Sequence, residues 1–148
     1  MRNTALRVVL GILAATSLEL GVWATFWPQQ FYNTFPGGGR TWVAVNGPYN
    51  EHFVRDFGGL NLALALVFTV AAVTLGVTLV RTAAAGYVLF AVPHLVYHAR
   101  HLGVYTSAAD KVANVVTLGA AVALALAALA LTWSSPAAAP APGRAQSA

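Results

Sequence analysis

The chain has 148 residues, of which 58% are hydrophobic and only 8% are charged. A soluble domain carries about 25% charged residues, so this composition argues against a soluble domain and favours a membrane protein. The net charge of +4 does not indicate a nucleic-acid partner, because the eight Lys and Arg residues stand singly at the ends of apolar segments. The absence of cysteine excludes disulfides, thiolate metal sites and thiol redox chemistry.

Four apolar segments are long enough to cross a hydrocarbon core of roughly 30 Å as helices. The first begins like a signal peptide, but it contains Glu19, ends in aromatic residues and lacks a convincing cleavage site, so it indicates a retained membrane helix. The sequence therefore predicts an all-α, four-transmembrane-helix bundle formed by residues 1–135, followed by a disordered Pro/Ala-rich tail over 136–148. The predicted helices cover about residues 6–27, 51–80, 82–101 and 108–133.

A long aromatic and glycine-rich loop is predicted between the first two membrane helices. A connection of about thirty residues is usually functional or disordered, and its six aromatic residues favour a lid packed on the bundle or lying in the headgroup region. Asn50 is the expected N-cap of the second helix, and Ser107 with Asp110 is the expected capping box of the fourth. Arg81 is expected at a tight turn between the second and third helices.

The chain is expected to lie in the cell membrane with both termini in the cytoplasm. The basic residues divide evenly between the two predicted sides: Arg2, Arg7, Arg81 and Arg144 on one, Arg40, Arg55, Arg100 and Lys111 on the other. The two arginines before the first helix decide the orientation, because the first helix usually dominates.

The polar residues of the predicted helices gather toward the outer end of the bundle. His94, His98 and His101 are spaced four and three residues apart, so a helix places them on one face. Glu19 and His94 are predicted at a similar depth, roughly 20 Å from the cytoplasmic side. An unpaired charge at that depth costs at least ~2.5 kcal/mol, so we expect Glu19 and His94 to pair.

These positions predict a pocket that opens at the outer face. Glu19 and His94 would form its floor, and the candidates for catalysis are Glu19, His52, Asp56 and His94. The other expected ligand contacts are Asn61, Arg55, Tyr97 and Arg100. The candidate metal ligands are His52, Asp56, His94, His98, His101 and Glu51. Imidazole and carboxylate groups suit zinc or copper, and haem held by two histidines is the weaker alternative. The competing interpretation is that these residues cap helices and anchor the interface.

Three segments carry a resemblance: "FWPQQFYNTFP", "GPYNEHFVRDFGGLNLALALV" and "VPHLVYHARHL". Together they make residues 6–133 resemble small four-helix membrane proteins of actinobacteria, and the general layout is similar to that of DoxX-like proteins. The resemblance implies a four-helix membrane bundle. It supplies no catalytic residues, and a shared fold does not establish a shared function.

Three functions remain open, and the sequence does not decide whether the protein is an enzyme. The leading hypothesis is a site that binds a metal ion or a small lipid-soluble ligand from the outer leaflet. The second is a non-catalytic membrane subunit whose polar cluster is structural and which binds a membrane protein partner. The third is a small proton-coupled carrier using Glu19 and His94, which the absence of a visible inverted repeat disfavours.

Overall fold

A computed structural model describes residues 1–133, and all the regular structure in that range is helical. The α-helices are α1 (Arg2–Phe26), α2 (Pro28–Thr34), α3 (Glu51–Thr74), α4 (Val77–Arg100) and α5 (Ala108–Trp133). α1, α3, α4 and α5 have 24 to 26 residues each and are apolar enough to span a membrane, since 24 residues rise about 36 Å. The protein is therefore a multi-pass membrane protein. The predicted tail over 136–148 lies outside the described residues.

The four membrane helices run alternately up and down, which gives the bundle two distinct ends. The turn end contains the first turn of α1, the α3–α4 turn and the last turn of α5; the loop end contains residues 27–50 and 101–107. α1 packs along α3, α4 packs along α5, and α1 also contacts α5. α4 consequently lies beside α5 rather than beside α1, which matters for the predicted Glu19–His94 pair.

The larger of the two hydrophobic core clusters lies at the turn end and contains residues from all four membrane helices. Phe68 is fully buried in it, with its ring against Tyr87 at a centroid distance of 5.4 Å. The other buried members are Leu6, Leu10, Leu13, Ala14, Ala71, Val80, Ala83, Ala84 and Ala128. Many of these residues are small, which lets helix backbones approach closely, as is typical where packing rather than hydrophobicity drives helix association in lipid.

Two glycines bring α1 and α3 into backbone contact near the loop end. A Cβ on Gly21 would lie 2.8 Å from the backbone nitrogen of Leu62, and a Cβ on Gly58 would lie 2.6 Å from that of Thr25. Gly59 has nothing within 4 Å of such a Cβ. Of the adjacent residues Gly58 and Gly59, only Gly58 is therefore required by the packing of α1 against α3.

The α3–α4 turn lies earlier in the chain than the sequence predicts. α3 ends at Thr74, not near residue 80, because Leu75 adopts a left-handed conformation with φ of 53° and Gly76 caps the start of α4. Arg81 therefore lies inside α4 and not at the turn. Its Nη2 donates hydrogen bonds to the carbonyl oxygens of Thr132 and Trp133, in the last described turn of α5.

The predicted caps of α3 and α5 form. Asn50 Oδ1 accepts a hydrogen bond from the backbone N–H of Phe53 at 3.1 Å. Ser107 Oγ accepts from the N–H groups of Ala109 and Asp110 at 3.1 and 3.4 Å. The carboxylate of Asp110 does not complete a capping box, because it is bound by residues 40 and 42 of the long connection.

Candidate functional site

The connection between α1 and α3 is fastened to the start of α5 by one carboxylate. Trp42 Nε1 donates to Asp110 Oδ1 at 2.9 Å, and Arg40 Nε lies 2.9 Å from the same oxygen. The backbone N–H of Trp42 donates to the carbonyl of Phe35 at 2.8 Å. Residues 27–50 are thus held against the bundle by a charge-assisted contact between segments distant in sequence.

Tyr105 lies beneath Trp42 and joins α4 to α5. Its ring is 6.3 Å from that of Trp42, and its side chain is buried. Asn114 Nδ2 donates to the Tyr105 hydroxyl oxygen at 3.1 Å, and the hydroxyl lies 3.1 Å from His98 Nδ1. Burial raises the pKa of Tyr105 above its ordinary value, so the hydroxyl remains protonated at neutral pH and donates to His98 Nδ1.

His94 lies one turn deeper on α4 and lines a small cavity between the membrane helices. Its ring stacks on Phe90 at 5.3 Å and meets the edge of His98 at 4.7 Å. The cavity has a volume of about 70 Å³, and Asn61 of α3 provides its other strongly polar side chain. The remaining lining residues are mostly apolar: Leu20, Phe57, Tyr87, Phe90, Ala91, Leu118 and Ala121.

Glu19 is not part of that cavity, and the predicted Glu19–His94 floor is wrong. Glu19 is exposed and lies in a shallow open groove of about 660 Å³ on the outer surface of α1. The buried face of α1 contains Ser17 and Gly21, and a shift of two helical positions turns a side chain by about 200°. Leu20, the next residue, lines the cavity together with His94, so the prediction failed on the direction in which Glu19 projects from α1.

Four of the predicted site residues, Glu51, His52, Arg55 and Asp56, lie on the exposed first turns of α3 and pair with one another. His52 Nδ1 lies 3.5 Å from Asp56 Oδ1, and Arg55 Nε lies 2.8 Å from Glu51 Oε1. Arg55 also donates through Nη1 to the carbonyl of Thr25 near the end of α1. Arg55 thus binds a helix terminus, and the structure does not bring these four residues to the cavity.

The predicted ligand contacts at the end of α4 also face outward. Tyr97, Arg100 and His101 are exposed. His101 Nδ1 lies 2.7 Å from the carbonyl oxygen of Tyr97, and the two rings stack at 4.2 Å. Because a carbonyl can only accept, His101 Nδ1 carries the proton. The three predicted histidines thus divide: His94 lines the cavity, His98 binds Tyr105, and His101 lies at the surface.

The predicted metal ligands do not converge. Within residues 1–133 no three His, Asp or Glu side chains form a group that could hold a metal ion. Glu51, His52 and Asp56 are at the exposed start of α3, whereas the other histidines follow one another along α4. The zinc or copper site required histidines and carboxylates from different helices to meet, and among residues 1–133 they do not. The haem alternative required two histidines on facing helices, whereas His52 lies at the exposed start of α3 and His98 binds Tyr105.

Sequence reasoning gave no functional role to Arg40, Trp42 or Tyr105, and it treated Asp110 only as a capping residue. One signal was present: Arg40 and Trp42 are a cation and an aromatic donor in a segment otherwise rich in glycine. Their partner lies 68 residues away from Trp42, and no local pattern predicts that pairing.

Comparison with known proteins adds no family to this description. No family model, curated protein or solved structure matches the chain. The function is therefore argued from its own residues.

Proposed function

We propose that this chain is a non-catalytic cell-membrane protein that binds a transmembrane helix of another protein through the groove on α1 that contains Glu19. The observation that carries the proposal is the exposure of Glu19 on a membrane-spanning helix. Glu19 lies seven residues before the end of α1, which places it about 10 Å from the loop end. At that depth the outer surface of α1 faces lipid.

A carboxylate that faces lipid is stabilised by a hydrogen-bonding or oppositely charged partner. An ionised side chain within a membrane costs at least ~2.5 kcal/mol, and such residues almost always pair with another polar group. Among residues 1–133, Glu19 has no hydrogen-bond or ion-pair partner. A basic or hydrogen-bond-donating side chain on a neighbouring helix would provide one.

The shape of the groove fits a helix. Its lining residues on α1 recur at helical spacing and form a stripe along one face; they are Ala15, Leu18, Glu19, Val22 and Trp23. Ala15 leaves room for close approach of a second backbone. Trp27 and Gln30 close the groove at the loop end, where tryptophan is favoured at the membrane–water interface.

Charge favours a different protein over a second copy of this chain. A two-fold symmetric contact through the groove would place Glu19 against Glu19. Several cations of the chain already have partners: Arg40 contacts Asp110, Arg55 contacts Glu51, and Arg81 contacts the end of α5. A partner helix with a lysine or arginine at the depth of Glu19 complements the groove directly.

The same proposal includes the orientation. The termini lie in the cytoplasm, and the loop end, with its lid of aromatic residues from the α1–α3 connection, lies at the outer face. Arg2 and Arg7, both within the first two turns of α1, support this orientation through the positive-inside rule. Membership in the actinobacterial group of small four-helix membrane proteins, with a layout similar to that of DoxX-like proteins, belongs to this proposal as well.

The test uses a membrane two-hybrid reporter with the full chain as bait. The probes are poly-leucine transmembrane helices that carry one lysine, or only leucine, at the depth of Glu19. We expect the lysine helix to associate and the leucine helix not to associate. Glu19→Leu should abolish the signal, whereas the control Glu51→Gln, at a carboxylate outside the groove, should leave it unchanged.

Two results would contradict the proposal. Equal signals from the lysine and leucine helices would show that Glu19 does not select a basic partner. A crosslink from a photoreactive residue at position 22 to a second copy of the chain, lost in Glu19→Leu, would assign the groove to self-association.

A further inference from the structure

The cavity between the membrane helices leaves several polar atoms without protein partners. Asn61 Nδ2 donates to the carbonyl of Phe57 at 2.9 Å, but Asn61 Oδ1 accepts no hydrogen bond from any described residue. The ring of His94 packs against those of Phe90 and His98, and neither of its nitrogens hydrogen-bonds to a residue within 1–133. One carbonyl oxygen and two ring nitrogens thus remain unsatisfied.

The membrane makes these vacant hydrogen-bonding positions costly. No bulk water reaches the hydrocarbon region, and an unsatisfied polar group there costs several kcal/mol. Asn61 is only 4% exposed, so lipid headgroups cannot satisfy it. The missing partner of Asn61 therefore has to be a small molecule inside the bundle, and the partly buried His94 lines the same cavity.

The volume of the cavity limits the size of the molecule that it can hold. A water molecule occupies about 30 Å³ in the liquid, so the cavity of about 70 Å³ holds two. Pockets for drug-sized ligands measure roughly 300–1,000 Å³. We therefore propose that the cavity is an internal hydration site, in which two water molecules bridge Asn61 Oδ1 and the imidazole of His94.

The site connects to one end of the bundle. One turn above His94, His98 binds the hydroxyl of Tyr105, which also binds Asn114. Asn114 precedes the cavity-lining Leu118 by one turn, and its Oδ1 is buried without a protein partner. Hydrogen-bonding groups thus lead from the loop end to the cavity.

Among residues 1–133, no comparable series of hydrogen-bonding groups leads from the cavity to the turn end. The neighbouring core there is apolar and contains Phe68, Val80 and Ala84, all fully buried. Water in the cavity therefore exchanges through the loop end alone. This site is a dead end, and it does not provide the through-path that a proton-coupled carrier would need.

The test is water-edited solid-state NMR on the full-length protein in liposomes, with ¹⁵N-labelled histidine. Single His→Gln variants assign the four histidine signals. We expect rapid magnetisation transfer from water to the His94 ring, although it lies within a membrane helix. Ala91→Leu, which fills the cavity without removing a polar group, should abolish that transfer. Ala85→Leu, on the exposed face of the same helix, is the matched control and should preserve it.

The wild-type spectrum alone can overturn the proposal. A His94 signal without water transfer would show that the cavity is dry. Transfer that survives in Ala91→Leu would show that the water contacting His94 lies elsewhere. If Ala91→Leu does not fold, Ala121→Leu fills the same cavity from α5 and serves as the second variant. None of these outcomes depends on the α1 groove, so the two proposals are tested separately.

Discussion

The two ends of the bundle are held together in different ways. At the turn end, small and apolar residues from all four membrane helices pack around Phe68. At the loop end a smaller apolar cluster forms around Ala24, Phe31 and Val54, and hydrogen bonds through Asp110 and Tyr105 add links between segments that are far apart in the sequence. In lipid, apolar packing stabilises helix association without orienting polar groups, whereas hydrogen bonds do orient them.

This difference assigns most of the stability to the turn end and the proposed binding sites to the loop end. At the turn end, Arg81 of α4 donates hydrogen bonds to backbone carbonyls in the last described turn of α5, which joins two helices rather than lining a cavity. Both proposed sites, the α1 groove and the hydrated cavity, lie toward the loop end. Substitutions at the turn end should therefore reduce stability most, and substitutions at the loop end should change local order and ligand access.

The largest expected effect comes from Phe68→Ala at the turn end. Phe68 is fully buried, and truncating a buried phenylalanine typically costs about 3 to 5 kcal/mol because it removes contacts and leaves a cavity. The free energy of unfolding, measured in detergent by denaturant titration, should fall by that amount. Leu66→Ala is the control: Leu66 lies two residues away and is 66% exposed, so its truncation should change stability by less than about 0.5 kcal/mol. Equal losses would refute the assignment of the core to this end.

Apolar length was enough to predict the membrane helices, and residue chemistry was enough to predict two caps. A continuous apolar run identifies a span because only a helix satisfies its own backbone in lipid. The α3–α4 boundary was missed because Leu75 has no local signal for the left-handed conformation it adopts. Asn50 and Ser107 were identifiable because their side chains bind N–H groups within three residues.

The site was predicted less well, for a geometric reason. Counting residues from a helix end gives the depth of Glu19 and His94, but it does not give the rotation of either helix or the neighbour of each. Because α4 packs on α5, His94 faces Asn61 across a cavity, and Glu19 faces outward. The Trp42–Asp110 contact could not be predicted from the sequence for another reason. It depends on how the long connection between α1 and α3 folds back onto α5.

The next effect, at the loop end, comes from Asp110→Ala. The hydrogen bond from Trp42 to this carboxylate should be worth about 1.5 to 3 kcal/mol, and the half-exposed Arg40 pair adds less than about 1 kcal/mol. Releasing residues 27–50 should also speed tryptic cleavage after Arg40, which mass spectrometry can follow. Asp56→Ala removes a carboxylate with an exposed histidine partner, so cleavage and stability should remain as in the wild type. Unchanged cleavage in Asp110→Ala would mean that Asp110 does not hold the connection.

The smallest effect concerns Tyr105 and depends on pH. Burial raises the folded-state pKa of Tyr105 above the unfolded value of about 10. The folded state therefore holds this proton more tightly than the unfolded state does. The resulting stability is fully present below about pH 10 and is lost as the pH rises through the folded pKa. Ionised Tyr105 cannot donate to His98 Nδ1 and would be a buried charge.

Tyr105→Phe should consequently lower the free energy of unfolding by about 1 kcal/mol at neutral pH, because His98 and Asn114 lose a hydrogen-bond partner. Above pH 10 the wild type should lose stability more steeply than the variant, so the difference between them narrows. Thermal unfolding between pH 7 and about pH 11 measures the stability of the wild type and of Tyr105→Phe as a function of pH. The control is Tyr97→Phe, at an exposed tyrosine, which should follow the wild type. Parallel curves for the wild type and Tyr105→Phe would show that the Tyr105 hydroxyl does not join α4 to α5 as a donor. The series of hydrogen-bonding groups from the loop end to the cavity would then lack its contact between Tyr105 and His98.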